Sequence, residues 1–273
     1  GKSVLTFFER KVNFQNEAMQ CLKPLNLDYI ISTRPVDDME IQLLEAARRL
    51  NVKIVMYLLS WDNITSKGIF PVKGDYFLTW GPIMNEELYE YYNVKEDRIF
   101  NTGVTHFDIH HQVKHGDIEI KNLLEQIGLD NDLPFLFFTM SASYYAPNEI
   151  DVVEALAKAV ESDVFGPKMQ LVIRPHMVNL MADRSDLSWL KRLQNIVSSR
   201  VKVDFPDSDN SLLTWYMAKN DMIRLSSFIN QAKVCLNSGS TISIESLYLD
   251  TPVIITAFDT EEWPYSLSAR RLN

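Results

Sequence analysis

The sequence predicts an α/β fold built on parallel sheets, and three observations support this prediction. Short apolar runs alternate along the chain with longer runs that repeat apolar residues every three or four positions. Several of the short runs are continuously apolar, as strands are when helices cover both faces of their sheet. The chain has 273 residues, which is enough for two layered domains. Strand–helix–strand alternation then implies parallel strands joined by right-handed crossovers.

The predicted strands are the short apolar runs, taken in chain order. In the first half of the chain they cover Asp28–Ser32, Lys53–Leu58, Asp75–Trp80 and Arg98–Thr102. In the second half they cover Phe135–Thr139, Gln170–Arg174, Val201–Asp204, Lys233–Asn237 and Pro252–Thr256.

The predicted helices are the amphipathic runs between these strands. They cover Met39–Leu50, Asn85–Tyr92, Glu149–Glu161, Leu187–Val197 and Thr241–Leu249. A further helix is predicted over residues 118–129. It follows a polar stretch that begins at His106, and a turn-forming segment with Pro134 follows it. The polar stretch indicates a boundary between two domains, and we expect these domains at residues 1–115 and 116–273.

Composition excludes several classes of protein. The 46% of hydrophobic residues is typical of a globular chain rather than a disordered one. The formal net charge of −9 argues against non-specific nucleic-acid binding, which needs a basic surface. Cys21 and Cys235 lie in separate apolar stretches and are interpreted as buried free thiols of a reducing compartment. No apolar run approaches the roughly 18–20 residues of a membrane span, so a cytoplasmic protein is expected.

The strongest local motif follows one predicted strand and opens the next predicted helix. Its small and hydroxyl-bearing residues are Ser238, Gly239, Ser240 and Thr241. Such residues let backbone N–H groups approach a phosphate closely. Glu245, one turn into the helix, can accept hydrogen bonds from ribose or sugar hydroxyls. The alternative is an ordinary serine or threonine helix cap. The motif is neither a P-loop nor a GxGxxG fingerprint, which disfavours kinases and dehydrogenases.

A second motif, Arg174-Pro175-His176, ends another predicted strand. Ligands of open parallel sheets gather beyond the carboxyl ends of the strands. Arg174 and His176 can both donate hydrogen bonds to a diphosphate there. The alternative is a surface turn with a simple salt bridge.

A third motif, SWDNITSKG, follows the predicted strand Lys53–Leu58 and is dense in polar side chains. Asp62 is a candidate base or a group that orients an acceptor hydroxyl. Lys67 is a candidate partner for a negative group. The alternative is an Asx turn in which Trp61 packs on the core.

Histidines cluster near the predicted boundary without forming a metal motif. They are His106, His110, His111 and His115. No cysteine or carboxylate completes a zinc pattern such as HExxH beside them. We therefore predict a polar helix or linker and no metal site.

Taken together, these motifs resemble a known family. The segment NSGSTISIESLYLDTPVIITAFD is similar to the donor-binding segment of GT-B-fold glycosyltransferases, in particular those of bacterial surface polysaccharides and the related CDP-glycerol glycerophosphotransferases. SWDNITSKG, DYFLTWGP and RIFNTGVTHFD resemble the N-terminal domain of the same group and its exit, and LVIRPH resembles its strand ending in Arg-Pro-His. The resemblance covers roughly residues 50–270, and the order of the motifs is more specific than any one of them.

The resemblance implies two Rossmann-like domains that face each other across a cleft. The N-terminal domain is expected to be incomplete, because the strand and glycine-rich loop that usually open it are not recognisable. The C-terminal domain would bind the nucleotide donor, with the diphosphate held by Ser238, Gly239, Ser240 and Thr241, assisted by Arg174 and His176. Glu245 would meet ribose or sugar hydroxyls. Residues on the acceptor side would be Ser60, Trp61, Asn63 and Lys67. The residues expected to take part in catalysis are Asp62 and His176.

The leading hypothesis is transfer of a sugar from a nucleotide-sugar donor to an acceptor hydroxyl in surface or capsular polysaccharide synthesis. No metal or further cofactor is expected, because no clear DxD motif follows a strand. The acceptor would be a saccharide or a lipid-linked saccharide, so peripheral association with the inner membrane face stays open. One alternative is polyol-phosphate transfer from CDP-glycerol. Another is a sugar-nucleotide 2-epimerase, although such an enzyme normally shows more acidic and histidine residues. A third is a non-catalytic module that binds a nucleotide sugar.

Overall fold

The computed structural model describes residues 16–143, 145–180, 187–207 and 217–256. The chain divides into two compact units, Gly1–Thr105 and His106–Asn273. Each unit contains one sheet whose described strands are all parallel, with four strands in the first and five in the second. The predicted α/β class with parallel sheets is confirmed.

The first unit carries its strands in sequential order, β1-β2-β3-β4. Its elements are α1 (described over residues 16–22), β1 (Tyr29–Ser32), α2 (Asp38–Arg49), β2 (Lys53–Tyr57), β3 (Tyr76–Thr79), α3 (Pro82–Tyr92) and β4 (Ile99–Asn101). Helix α2 begins where the Asp37 side chain accepts a hydrogen bond from the N–H of Met39 at 3.1 Å.

One face of the first sheet is well buried. Leu44 of α2 and Leu88 of α3 pack there with Ile54, Met56 and Phe77 of the sheet. The opposite face is only half-buried, and Ile31 and Phe100 on it are exposed. Right-handed crossovers between sequential neighbours place their helices on one face, which explains this asymmetry. The expectation that both faces are covered is wrong for the described part of this sheet.

The second unit has the strand order β7-β6-β5-β8-β9. Its elements are α4 (Asp108–Lys114), β5 (Phe135–Thr139), α5 (Glu149–Glu161), β6 (Gln170–Arg174), α6 (Leu187–Asn195), β7 (Val201–Val203), α7 (Lys219–Gln231), β8 (Val234–Asn237), α8 (Ile242–Tyr248) and β9 (Val253–Ile255).

Helices cover both faces of the second sheet. Leu136 and Phe138 of β5 pack with Val153 of α5 in one core cluster. Phe137 packs on the other face against Phe228 of α7, with ring centroids 5.4 Å apart. All five residues of β5 are buried, as its mainly apolar sequence predicted. Of the two cysteines expected to be buried, Cys235 lies in this core and Cys21 of the first unit is exposed.

Three features of the second unit differ from the sequence analysis. Residues 118–129 form turns and the short 3-10 helix Glu125–Ile127 instead of an α-helix, and Asn122 takes a left-handed φ of 55°. The side chain of Asn131 accepts the N–H of Leu124 at 2.9 Å and so competes with helical bonding. Helix α7 was not predicted. The boundary expected between residues 115 and 116 lies inside this unit, just after α4.

None of the described helices combines the length and the hydropathy that a bilayer span requires.

Candidate functional site

The second sheet has a topological switch point between β5 and β8. From β5 the chain proceeds to β6 and β7 on one side, and it then returns to place β8 and β9 on the other side. The connections that leave β5 and β8 therefore diverge, and ligands of open α/β sheets bind in the crevice that such divergence creates at the carboxyl ends. Ser141 follows β5, and Ser238 follows β8.

A buried carboxyl group joins the two loops at this point. Glu149, the first residue of α5, is 0% exposed. One of its oxygens accepts the N–H of Ser141 at 2.7 Å, and the other accepts the Ser238 hydroxyl at 2.6 Å. The Thr256 hydroxyl, just beyond β9, lies 3.3 Å from the Ser238 hydroxyl. We call Ser141, Glu149, Ser238 and Thr256 the switch-point cluster.

The burial of Glu149 changes its titration. Loss of hydration raises the pKa of Glu149 from 4.5 to about 7, although hydrogen bonds from Ser238 and Ser141 oppose the rise. Both protonation states of this group are therefore populated near neutral pH. Sequence analysis missed Glu149 as a functional candidate, because an acidic residue in the first turn of a helix is explained by the helix dipole alone.

The loop after β8 is organised by Asn237. The side-chain oxygen of Asn237 accepts the N–H of Gly239 at 2.8 Å, the N–H of Ser240 at 3.1 Å and the Ser243 hydroxyl at 3.0 Å. Gly239 adopts a φ of +86°, which favours glycine at this position. The N–H groups of Gly239 and Ser240 are thus used within the loop, and a phosphate contact of this loop stays a prediction.

The same asparagine leaves one buried donor unsatisfied. Within the described part of the chain, the Asn237 side-chain nitrogen is buried and has no hydrogen-bond partner. A buried donor without a partner is uncommon and is often explained by a bound water, ion or ligand. Ser240 and Thr241, the other predicted phosphate-binding residues, are half-buried on the same loop.

Glu245 lies one turn into α8, as predicted, and contacts a histidine of α4. The Glu245 carboxylate lies 3.1 Å from Nε2 of His110, and the two residues are 8% and 2% exposed. The carboxylate thereby has a partner within the protein. A contact between Glu245 and ribose or sugar hydroxyls stays a prediction.

The Arg-Pro-His motif separates into two different environments. Arg174 is 4% exposed, and its guanidinium contacts the carboxylates of Asp204 and Asp221, which are buried as well. This packing is neither the surface turn of the simpler interpretation nor a guanidinium directed at a ligand. The predicted diphosphate contact of Arg174 has no geometric support in this arrangement.

His176 lies at the surface beyond β6. Its Nδ1 atom accepts the N–H of Val178 at 3.2 Å, so in the neutral ring the proton lies on Nε2. Partial loss of hydration lowers the pKa of His176 below its usual value. The ring is therefore a neutral donor at the carboxyl edge of the sheet.

In the first unit, Asp62 is enclosed by its own loop. It accepts hydrogen bonds from the hydroxyls of Ser60 at 2.5 Å and Ser66 at 2.7 Å, and Lys67 lies 3.2 Å away. Burial alone would raise the pKa of Asp62, but these hydrogen bonds and the Lys67 charge together lower it. The geometry resembles the turn alternative and makes Asp62 a weak base.

The other acceptor-side candidates differ in exposure. Trp61 is 39% exposed, so it does not pack in the core as the turn alternative assumed. Asn63 is half-buried, and the Lys67 ammonium group is engaged by Asp62. The acceptor-side role of Ser60, Trp61, Asn63 and Lys67 stays a prediction.

The clustered histidines lie on and beside α4 and have protein partners. His110 pairs with Glu245, Nδ1 of His111 lies 2.9 Å from the Tyr248 hydroxyl, and Nδ1 of His115 lies 2.9 Å from the His111 carbonyl oxygen. Across the described ranges, no group of three or more His, Cys, Asp and Glu side chains is placed to hold a metal ion. The expected polar helix is present, although His110 and Val113 are buried.

Comparison with known proteins shows the fold alone. No family model matches the sequence, and no curated protein is significantly similar to it. Solved structures do match. They include MnaA of Staphylococcus aureus with UDP, at a TM-score of 0.63 and 13% identity over 90% of this chain. The UDP-GlcNAc 2-epimerase of Methanocaldococcus jannaschii matches at a TM-score of 0.61 and 14% identity over 93% of this chain.

A third match is the UDP-GlcNAc 2-epimerase of Neisseria meningitidis bound to UDP-GlcNAc, at a TM-score of 0.59 and 14% identity over 96% of this chain. The chain spans 63%, 68% and 67% of these three proteins, respectively. The matches confirm the predicted Rossmann-like α/β class.

Proposed function

We propose that this protein is a nucleotide-sugar enzyme whose second unit binds the donor diphosphate at the β5–β8 switch point. The reaction we propose is transfer of the sugar to an acceptor hydroxyl in the synthesis of a surface polysaccharide. The observation that carries the proposal is the switch-point cluster. It brings hydroxyl groups from the ends of β8 and β9 together at the edge where sheets of this order bind ligands.

Three features support a phosphate ligand at this edge. The unsatisfied side-chain nitrogen of Asn237 is a buried donor at the end of β8, where the loop begins. Thr241 supplies a half-buried hydroxyl on the same loop, and His176 supplies a neutral Nε2–H beyond β6. Donors fixed before the reaction stabilise the charge that develops on a departing nucleoside diphosphate.

The acceptor side belongs to the first unit in this proposal. Two serines and Lys67 stabilise the charged form of Asp62, so we assign it to orienting an acceptor hydroxyl rather than removing its proton. The exposed ring of Trp61 offers a surface on which a saccharide can stack.

A second candidate reaction is epimerisation of the bound UDP-sugar. Two observations favour it: two of the three structures named above are UDP-GlcNAc 2-epimerases, and Glu149 can exchange a proton near neutral pH. Incubation with UDP-GlcNAc in heavy water separates the reactions. Epimerisation through proton removal places deuterium on the sugar ring and leaves the nucleotide attached, whereas transfer releases UDP only when an acceptor is present.

The binding proposal is tested by thermal unfolding with UDP, GDP, CDP, UDP-GlcNAc and CDP-glycerol. A ligand that binds only the folded protein raises its melting temperature. We expect UDP and UDP-GlcNAc to raise it, and Ser238→Ala to reduce the rise. Glu154→Gln is the matched control. Glu154 lies on α5, the helix that carries Glu149, but it pairs with Arg192 and is not part of the switch-point cluster. A selective shift with CDP-glycerol would replace sugar transfer by polyol-phosphate transfer, and no shift with any nucleotide would refute the proposal.

A further inference from the structure

The loop that follows β5 and the turn that follows β6 are joined by the side chain of Asn179. This residue lies in the 3-10 turn Met177–Leu180 and is 2% exposed. Its side-chain oxygen accepts the N–H of Ser143 at 2.8 Å, and its side-chain nitrogen donates to the carbonyl oxygen of Ser141 at 2.8 Å. Because one partner is a donor and the other is an acceptor, only one orientation of the amide satisfies both bonds.

Asn179 continues the pairing of β5 with β6 beyond the backbone bonds of the two strands. The N–H of Met140 donates to the carbonyl oxygen of Arg174 at 2.8 Å. Pro175, the next residue after β6, has no N–H with which to extend this ladder. A side-chain amide carries the same donor and acceptor as a peptide group. The Asn179 side chain therefore takes the place of a further peptide group and holds the loop that follows β5.

His176 is held by the same turn as Asn179. The carbonyl oxygen of His176 accepts the N–H of Asn179 at 2.9 Å, and Nδ1 of its ring accepts the N–H of Val178 at 3.2 Å. Both the backbone and the ring of His176 are thus bonded to the turn that Asn179 attaches to the loop after β5. The position of the Nε2–H donor of His176 depends on this attachment.

The other end of the attachment belongs to the switch-point cluster. Ser141, whose carbonyl oxygen accepts the bond from Asn179, donates its N–H to Glu149 at 2.7 Å. Glu149 in turn accepts the Ser238 hydroxyl at 2.6 Å. A continuous series of hydrogen bonds therefore connects the turn of His176 with the serine that follows β8.

We propose that Asn179 is a positioning residue of the donor site, which fixes the His176 ring relative to the switch-point cluster so that both can contact the diphosphate of one nucleotide sugar. This inference rests on the proposed function, because it takes the ligand of His176 to be a nucleotide sugar. Asn179 acts through His176, since its own amide is buried and bonded within the protein. A donor that is already fixed loses little freedom when the ligand binds, whereas a mobile ring must be ordered and weakens binding.

A purely structural role of Asn179 makes a different prediction. It would lower the stability of the protein and leave His176 unchanged in the molecules that stay folded. Partial loss of hydration lowers the pKa of His176 below its usual value. If Asn179 holds the turn in place, its removal lets water reach the ring, and the pKa of His176 rises toward the ordinary histidine value of about 6.5.

Titration of the histidine rings by NMR tests the positioning without any ligand, at a temperature where every variant is folded. The signal of His176 is the one that is lost in His176→Ala. We expect Asn179→Ala to raise the pKa of His176 and Asn131→Ala to leave it unchanged. Asn131 is the matched control, because its side-chain oxygen also accepts a backbone N–H, that of Leu124 at 2.9 Å, but it lies before β5, at the opposite end of the strand.

Calorimetric titration with UDP-GlcNAc at pH 8 measures the consequence for the site. Loss of one neutral hydrogen bond weakens binding by about two- to tenfold, so Asn179→Ala and His176→Ala should each raise the Kd by about this factor. The double variant should bind within about twofold of His176→Ala, because Asn179 has no ring to position once His176 is removed. Asn131→Ala should bind as the wild-type protein does.

Asn179→Asp is the second variant, for the case that Asn179→Ala does not fold. It keeps the size of the side chain and the acceptor for the N–H of Ser143, but it replaces the donor to Ser141 by a carboxylate oxygen. We expect it to change the pKa of His176 and the Kd in the same directions.

The outcomes separate this inference from the proposed function. An unchanged pKa of His176 in the Asn179 variants overturns the positioning role, and so do losses of affinity that add in the double variant. A raised pKa of His176 in a protein whose wild type does not bind UDP-GlcNAc overturns the proposed function and not the positioning of His176 by Asn179.

Discussion

The Nη2 atom of Arg174 lies 2.6 Å from both carboxylate oxygens of Asp221, and this pair is closed off from solvent. The other terminal nitrogen of Arg174 donates to Asp204, which also accepts from Nε of Arg224 at 2.7 Å. These contacts of Arg174 link the end of β6 to the residue after β7 and to α7. Arg174, for which the sequence predicts a contact with a diphosphate, is instead the centre of a buried ionic network.

This network predicts the effect of Arg174→Ala. The substitution removes the counter-charge of the buried Asp221 carboxylate and leaves Asp204 with Arg224 alone, so we expect the free energy of unfolding to fall by about 3–5 kcal/mol. Urea denaturation measures the loss. Arg34→Ala is the control, because Arg34 forms an exposed pair with Asp37, and such pairs contribute less than about 1 kcal/mol. Unchanged stability together with lost UDP binding would restore Arg174 as a ligand contact.

The pair Glu245–His110 predicts coupled losses of stability. Removing either side chain leaves the other buried without its partner, so Glu245→Ala and His110→Ala should each lower the free energy of unfolding by about 1–3 kcal/mol. The double variant should lose less than the sum of the two single variants, because the second removal costs little once the pair is broken. Denaturation of all four proteins completes the cycle.

The same variants test the predicted ribose contact. If Glu245 also meets the ligand, UDP affinity should fall in Glu245→Ala and stay nearly unchanged in His110→Ala. Additive stability losses would show that the pair is not coupled, and equal affinities in both variants would remove Glu245 from the donor site.

Glu149 predicts an unusual dependence of stability on pH. Its pKa is about 7 in the folded protein, against 4.5 for a glutamate that is fully hydrated, as it is in the unfolded chain. Between these two values the folded state therefore binds more protons than the unfolded state. Stability then falls as pH rises from 4.5 to 7, by up to about 3 kcal/mol, and this contribution is constant above pH 7.

Urea denaturation across this range, compared with Glu149→Gln, isolates the contribution. The difference between the two curves should change between pH 4.5 and 7. Carboxylates with lowered pKa values, such as Asp62 and Asp75, act in the opposite direction and at lower pH. Parallel curves for the two proteins would show that Glu149 has an ordinary pKa in the folded state.

The strands of the described chain were predictable because each is a short apolar run that pairs in a parallel sheet. Helix α7 was not, because its buried side carries Asp221, Ser226 and Ser227 as well as apolar residues. The apolar residues of α7 do recur every three or four positions, at Met222, Leu225, Phe228 and Ile229. The burial of Asp221 among them depends on Arg174, which lies far along the chain. The charge of Asp221 is compensated only by a contact that forms in the tertiary structure.

The candidate site shows the same limit. Residues at strand ends, such as Ser238 and His176, could be found from sequence, because the ends of apolar runs mark the carboxyl edge of the sheet. Glu149 could not, because its burial depends on a bond to Ser238, which lies 89 positions along the chain. Sequence periodicity does not reveal which loops of a sheet meet.

His176 gives the prediction that depends least on the buried network around it. His176→Ala removes a neutral Nε2–H donor at the surface, so we expect UDP affinity to fall by about two- to tenfold, the effect of one neutral hydrogen bond. Stability should change by less than about 1 kcal/mol, because the side chain lies at the surface.

His176→Gln, which keeps a donor, should retain most of the affinity. The lowered pKa of His176 keeps the ring neutral above pH 7, so the loss should be the same at pH 7 and pH 8.5. Calorimetric titration with UDP-GlcNAc at both pH values measures it, and equal affinity of His176→Ala and the wild-type protein would remove His176 from the donor site.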